Sequence, residues 1–400
     1  MSPHAGPEAT TLRPGSPEEV GMSVARVQHL GELGEEWVRQ GITPTIVMLV
    51  ARRGRIVLHR AFGRLTQESD APATPLDALF PLASIGKVFT ATAVMTLVEE
   101  GRVGLNRPVS GYLPEFRGEG KDKVLVRHLL THTAGVRDVD VDKFAQEKAG
   151  KITLPPPEAT IHPLVQEYLA LRYDCPLWKP PGEEMSYSPY GCELLGELVR
   201  RVSGTSLDRF ERTRIFLPLG MNSTFNCPVD APPERRVRRA PDPTVVPDAM
   251  DRAHETERLV YGSGGELSSA EDLAIFGQMF LNGGSYGSAR VLSPTSVAAM
   301  TRNQIPGVPS KFGREVFPES SWGFGWSVHG PKVGECGGLY SPESYEHWGA
   351  GGVYFWVDPA NEIVGVYLSS LPPGTLEQPW APGWQNDLFT DAATAAIVDP

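Results

Sequence analysis

The sequence predicts an α+β fold, an antiparallel β-sheet flanked by helices, with a mainly helical region inserted into it. Three observations carry this expectation. Thr45 to Ala51 and Arg55 to Phe62 are β-rich runs joined at Arg53-Gly54, which reads as a hairpin. Near the other end, Tyr345 to Trp348, Gly352 to Val357 and Ile363 to Leu368 run apolar or alternate, with a tight turn at Asp358 to Asn361, so they pair antiparallel. Between these ends, residues 137–180 hold short helical stretches separated by Pro155-Pro156-Pro157 and Pro180-Pro181.

In chain order, residues 1–15, rich in Pro, Gly and Thr, are expected to be flexible. From Ser16 to Gln40 the spacing of Val20, Met22, Val24, Val27, Leu30, Leu33 and Trp37 predicts a helix ended by Gly41. After the hairpin comes Pro81 to Gly101, PLASIGKVFTATAVMTLVEEG. From Ile85 this stretch is apolar on almost every side, the pattern of a helix buried in a core that begins near Ser84 and is capped by Gly101. An amphipathic helix on Leu194, Leu195, Leu198 and Val199 closes at Gly204, and another is capped near Ser269 with Asp272 in its first turn. Residues 226–258, rich in Pro and Arg, read as a surface excursion. Trp322 to Val328 is expected as a further strand, and a terminal helix from Trp384 to Ile397 is expected to cover one sheet face. The expected division is a sheet domain of residues 16–92 and 260–400 and a mainly helical domain of residues 93–259.

The chemistry begins at Ser84 and Lys87. Ser is a preferred N-cap and needs no reaction to stand at a helix start. Lys87, three residues on, shares its helical face, so its amine can reach the hydroxyl. Burial lowers a lysine pKa toward the range where the neutral amine accepts a proton. The pair therefore also reads as a nucleophile beside a candidate base, with helix-start N–H groups available to an oxyanion.

Three further candidates stand at a distance. Tyr187 sits in a Ser/Pro-rich turn feeding the amphipathic helix, where it either packs as an aromatic or relays a proton. His347 opens His347-Trp348-Gly349-Ala350-Gly351-Gly352, a side chain on a strand followed by glycines that let a ligand approach the backbone. His132, in VRHLLTHTAGV at 126–136, reads as a histidine that satisfies turn backbone. Ser285 fits Gly-x-Ser-x-Gly but follows a helix rather than a strand, so it is discounted.

Composition excludes several classes. The 400 residues are 40% hydrophobic and 21% charged, a globular balance, and the formal net charge of −11 offers no nucleic-acid footprint. The one dense basic run, Arg235, Arg236, Arg238 and Arg239, reads as a solvated loop. Cys175, Cys192, Cys227 and Cys336 lie far apart without Cys-x-x-Cys spacing, which gives neither a zinc site nor a disulfide framework. No charged-then-apolar leader precedes Gly15, and no run of about 18 apolar residues occurs. A cytoplasmic protein without a membrane partner is the expectation.

Ser84-x-x-Lys87, LLTHTAGV at 129–136, PGEEMSYSPYG at 181–191, IFLPLGMNSTF at 215–225, GGELSSAEDLAIFGQMFLNGG at 264–284 and HWGAGG at 347–352 together resemble the class C β-lactamase-like serine hydrolases. That family includes penicillin-binding carboxypeptidases, D-amino-acid peptidases, carboxylesterases and some acyltransferases. The resemblance covers roughly residues 20–370. It implies a β-lactamase/transpeptidase-like fold and an acyl-enzyme, with Ser84 as nucleophile and Lys87 as general base or proton partner. Tyr187 matches the Tyr of the family's Tyr-x-Asn element and would shuttle protons to the leaving group and from the deacylating water. His347 stands where the lactamases carry the Lys of Lys-Thr-Gly. The implied oxyanion hole uses the backbone N–H groups of Ser84 and of Ala350, the residue after Gly349.

Two departures bear on substrate. Pro189 occupies the position of the family's Asn and has neither a side-chain amide nor an N–H. The third motif lacks Lys and Thr, so contacts to a substrate carboxylate weaken unless His347 is protonated. Trp348 is either an apolar wall for an acyl or alcohol group or plain core. The expected activity is hydrolysis of a small ester by a carboxylesterase without cofactor or metal. The alternatives are a D-peptidase or weak β-lactamase on an amide, an acyltransferase using the same residues, and a non-catalytic ligand-binding relative.

Overall fold

The computed structural model describes residues 8–66, 68, 70–239, 248–312, 315–330, 336–371 and 385–399. The helices used below are α1 (Val24–Arg39), α2 (Gly86–Glu99), α3 (Val126–Leu130), α4 (Asp138–Lys148), α5 (Pro163–Arg172), α6 (Pro189–Ser203), α7 (Leu207–Glu211), α8 (Ala270–Leu281) and α9 (Asn386–Ala395). The main strands are β1 (Thr45–Arg52), β2 (Arg55–Gly63), β3 (Tyr345–Gly349), β4 (Val353–Asp358) and β5 (Ile363–Ser369). In space they run β2, β1, β5, β4, β3, with Arg13–Pro14 at one edge and Ser327–Val328 at the other.

Among the described residues of this sheet every pairing is antiparallel except that of Arg13–Pro14, which runs parallel to β2. The central strand β5 places Val366 opposite Leu49 of β1 and Phe355 of β4, joining the two ends of the chain. The fold is thus α+β, an antiparallel sheet flanked by helices, as the sequence predicts.

Period-2 alternation sorts the strands between two cores. Val47 and Leu49 of β1, Phe355 of β4 and Val366 of β5 face α2 and α8, in an apolar core that continues to α6. Ile46, Met48, Tyr354, Trp356 and Tyr367 face the other way, against Leu30 and Trp37 of α1 and Phe389 of α9. With helices on both faces, all eight β1 residues are buried, so the strand reads as a continuous apolar run. Gly365 makes room on the second face: a Cβ there would lie 1.9 Å from the Trp356 ring.

The hairpin turn is made by Arg53 and Gly54 with φ of 49° and 76°, both left-handed, as a tight two-residue connection demands. The first helix begins later than Ser16: a single 3₁₀ turn at Glu18–Val20 ends at left-handed Gly21, and Ser23 caps α1. Of the N-terminal segment, residues 1–7 lie outside the described residues, while Arg13 and Gly15 donate backbone hydrogen bonds to Gly54 and Ile56. Trp384 also lies outside them. Of the strand expected over Trp322 to Val328, only Ser327–Val328 joins the sheet, because Gly325 is left-handed and Trp322 bridges back to Ser327.

The arginine run is not a free loop. Arg236 bridges Leu79, Arg235 pairs with Asp77, and Arg239 donates to the Leu371 carbonyl. All four cysteines are buried and none is joined in a disulfide among the described residues. No helix among the described residues is long and apolar enough to cross a membrane.

Candidate active site

The site forms where α2 meets the end of β3. Ser84 lies in a single 3₁₀ turn, Ala83–Ile85, that leads directly into α2, and its side chain caps nothing. Ala83 takes φ of 45°, a strained value for a residue with a Cβ, and its neighbours hold it there. The Leu82 N–H donates to the Glu266 carbonyl, and Gly264 packs so closely that a Cβ on it would lie 2.3 Å from the Ala83 oxygen.

One helical turn on, the Lys87 Nζ donates to the Ser84 Oγ at 2.9 Å and to the Ser263 carbonyl at 2.6 Å. Ser263 is itself held by Glu193 of α6. That carboxylate accepts the Gly262 N–H (2.9 Å), the Ser263 N–H (3.1 Å) and the Ser263 hydroxyl (2.5 Å). Lys87 is thereby fixed at two points in a buried environment, with α6 reaching it through Ser263.

Tyr187 arrives from the turn before α6. Ser188 caps that helix, its hydroxyl accepting the Gly191 N–H at 3.0 Å, and Pro189 occupies the first helical position, where no N–H is needed. Asp138 at the start of α4 accepts from the Ser188 hydroxyl and from the Tyr190 N–H. His132, left-handed at φ 56°, clamps the same segment. Its carbonyl accepts the Ser186 N–H, its Nδ1 accepts the Ser188 N–H at 3.2 Å, and its ring lies 4.6 Å from that of Tyr187. His132 therefore does satisfy turn backbone, and by doing so aims Tyr187. The Tyr187 hydroxyl lies against both the Ser84 hydroxyl and the Lys87 amine, whose Nζ is 5.1 Å from the ring centre.

The third wall is aromatic. Trp322 sits 5.1 Å from His132, 5.9 Å from Tyr187 and 5.8 Å from His347 by ring centres. His347 on β3 is 2% exposed, and its Nδ1–H donates to the Trp348 carbonyl at 2.8 Å, which leaves Nε2 as a bare acceptor. That nitrogen has no hydrogen-bond partner among the described residues. Beyond it Gly349 abuts the Leu82 backbone and Ala350 is exposed in the following turn.

Trp348 is not part of this wall. Adjacent strand residues face opposite ways, so with His347 directed at α2, half-buried Trp348 packs against the core on the sheet face that α1 and α9 cover. The apolar wall is Trp322 instead.

The electrostatics correct one expectation. Desolvation is the largest influence on the Lys87 amine and pulls its pKa down, but Tyr187, Cys192 and Glu193 around it outweigh burial, and the net displacement is upward. Burial pushes the Tyr187 phenol up, against the opposing pull of Lys87 and Ser84. The resting pair is an ammonium beside a phenol. Burial, reinforced by the positive charge of Lys87, drives His347 down to about 3 and His132 well below its ordinary value, so both rings are neutral. His347 consequently does not supply the positive charge a substrate carboxylate would need.

A serine hydroxyl hydrogen bonded to a buried lysine, with a phenol touching both, can transfer an acyl group and move its proton without a metal. Among the described residues no cluster of three or more His, Cys, Asp or Glu is arranged to hold one. Glu193, Ser263 and Trp322 were not singled out from the sequence. Ser263 stands just before the Gly264-Gly265 pair of a motif already noticed, and only that proximity pointed to it.

The family model described as Beta-lactamase matches residues 27–383. A Salmonella agona (strain SL483) protein, whose name describes it as a candidate D-alanyl-D-alanine carboxypeptidase, is 27% identical over 93% of this chain and 89% of its own length. A penicillin-binding protein homologue from Caulobacter crescentus superposes with a TM-score of 0.71 at 23% identity, over 94% of this chain and 99% of that one. A family VIII carboxylesterase superposes with a TM-score of 0.69 at 20% identity, over 93% and 96%.

Proposed function

Because the chain belongs to the Beta-lactamase family of serine hydrolases, its match running from residue 27 to residue 383, we propose that it hydrolyses a small uncharged ester through an acyl-enzyme on Ser84. The observation that carries the choice of an uncharged ester is His347. Buried and neutral, with a bare Nε2 acceptor, it offers an incoming carboxylate a lone pair rather than a positive charge.

In this reading the Ser84 Oγ attacks the ester carbonyl and its proton passes to the Lys87–Tyr187 pair. The pair accepts that proton once it has released one of its own, as a phenolate beside an ammonium. The oxyanion is met by the N–H groups of Ser84 and Ala350, donors worth about 3–4 kcal/mol each in such sites. Collapse expels the alcohol, which takes the proton back from Tyr187. Water, deprotonated by the same phenolate, then attacks the acyl-Ser84 carbonyl, and collapse releases the acid as Tyr187 returns that proton to the departing Ser84 oxygen.

Pro189 supports the same choice, since it has no amide with which to grip a peptide substrate. The test is turnover of p-nitrophenyl butyrate against release of D-alanine from a D-Ala-D-Ala peptide, by wild type and by Ser84→Ala. Ester turnover that falls by about three orders of magnitude in the variant, with little D-alanine released, is the expected result. Faster release of D-alanine than of nitrophenol would overturn the ester reading and favour the peptidase.

A further inference from the structure

Beside the first turn of α2 lies a carboxyl group that the acyl-transfer steps do not use. Glu266 is 1% exposed, and neither of its carboxyl oxygens has a hydrogen-bond partner among the described residues. It packs against Gly86, between Ser84 and Lys87, so tightly that a Cβ on Gly86 would lie 1.8 Å from the Glu266 Oε2. Its own backbone carbonyl holds the Leu82 N–H at 2.8 Å, which ties it to the turn that carries Ser84. An apolar side chain would fill the same space without the cost of desolvating a carboxyl.

The groups that face Glu266 are few. They are Lys87 on α2, Glu193 on α6, Glu211 on α7 and, farther out, Cys227. Glu211 is fully buried and accepts from the Thr90 hydroxyl (3.2 Å), one turn beyond Lys87, and from the Asn226 amide (2.5 Å), while Asp208 acts on it from its own helix. His254 is engaged by the Leu259 and Gly265 carbonyls, at 2.8 and 2.9 Å, and by the Tyr261 ring.

We propose that Glu266 is a positioning residue that acts through Lys87: by gaining or losing its proton it sets how firmly Lys87 holds its own, and hence the pH at which the Ser84–Lys87–Tyr187 relay becomes competent. The proposal rests on the acyl-enzyme reading above. Burial pushes the Glu266 carboxyl up to about 8 and Glu211 well above its ordinary value, so both are neutral at pH 7. As the pH passes 8, Glu266 becomes a carboxylate next to the ammonium. A negative neighbour favours the ammonium, so the relay's loss of a proton is displaced to higher pH.

Glu266→Gln keeps the shape and removes the ionisation. For p-nitrophenyl butyrate, kcat/KM of wild type and variant should agree within about twofold below pH 7, while above about pH 9 the variant should be about three- to tenfold faster. Profiles that superpose throughout, or differ by one constant factor, would overturn the proposal. A second readout needs no turnover. In Ser84→Ala protein, one component of the protonated-carboxyl infrared absorption should be lost as the pH rises through about 8 while that of Glu211 persists, and Lys87→Met, lacking the cation, should retain the first component to higher pH. Titration unchanged by Lys87→Met sinks the proposal even if Glu266→Gln does not fold. Esterase activity retained by Ser84→Ala would instead sink the acyl-enzyme reading and leave this titration to be judged alone.

Discussion

Gly349 stands against Leu82 with no room for a side chain: a Cβ on it would lie 2.1 Å from the Leu82 carbonyl oxygen. The end of β3 and the turn that carries Ser84 therefore touch backbone to backbone, with Ala350 one residue beyond on one side and Ser84 two residues beyond on the other. Gly349→Ala should pry these segments apart and separate the two proposed oxyanion donors. The expected loss is about a hundredfold or more in kcat, read with p-nitrophenyl butyrate. A variant that folds and retains full kcat would show that the contact is irrelevant to the oxyanion.

Beyond the contacts of its hydroxyl with Ser84 and Lys87, Tyr187 is held by the His132 ring and by the cap of α6. Tyr187→Phe should keep its ring where it is and remove only the proton carrier. kcat should fall by about two to four orders of magnitude with the melting temperature nearly unchanged. A large loss of stability would mean that the hydroxyl is structural.

The neutral histidines make stability depend on pH. His347, held near 3, and His132, well below its ordinary value, stay unprotonated in the folded protein while their unfolded counterparts bind protons below about pH 6.5. Their contribution is thus complete above the unfolded pKa and lost as the pH falls. His347 should lower the unfolding free energy by up to about 1.4 kcal/mol per pH unit between pH 6 and 4, and His132 adds to that fall in the same direction. Urea unfolding at several pH values would show this slope, and His347→Gln should reduce it.

Away from the site, Gly365 leaves space that the Trp356 ring fills. Gly365→Ala should destabilise the fold by about 1–3 kcal/mol through overpacking in the sheet face that meets α1 and α9. Thermal melting measures it, and Ser84 chemistry in the surviving folded protein should be unaltered.

What the sequence disclosed follows from how local each signal is. Arg53-Gly54 specifies its turn through backbone conformation alone, and Ser84 and Lys87 are brought together by helical spacing, so both could be read without knowing the fold. Tyr187 and His347 lie in recognisable stretches, and the structure brings them to the same place. Trp322 joins them only through tertiary packing, and nothing in its surroundings in the chain marks it. For Trp348 the sequence leaves pocket wall and core both open, although strand alternation, once His347 is fixed, turns it to the opposite sheet face. The direction of the Lys87 pKa could not be read from burial alone, because Tyr187, Cys192 and Glu193 approach it from the distant helix α6 and its leading turn.

The central position of β5 bears on how the protein is made. Its partner β1 ends at Arg52, yet β5 begins only at Ile363, so on the ribosome the hairpin's inner edge waits for about 300 residues of further synthesis. Throughout that interval an eight-residue strand with six consecutive apolar residues, Ile46 to Ala51, presents unpaired backbone groups to whatever else is nearby. Truncation before residue 363 should therefore yield an insoluble chain rather than a smaller folded one, and efficient production should depend on shielding the nascent hairpin until its last neighbour emerges.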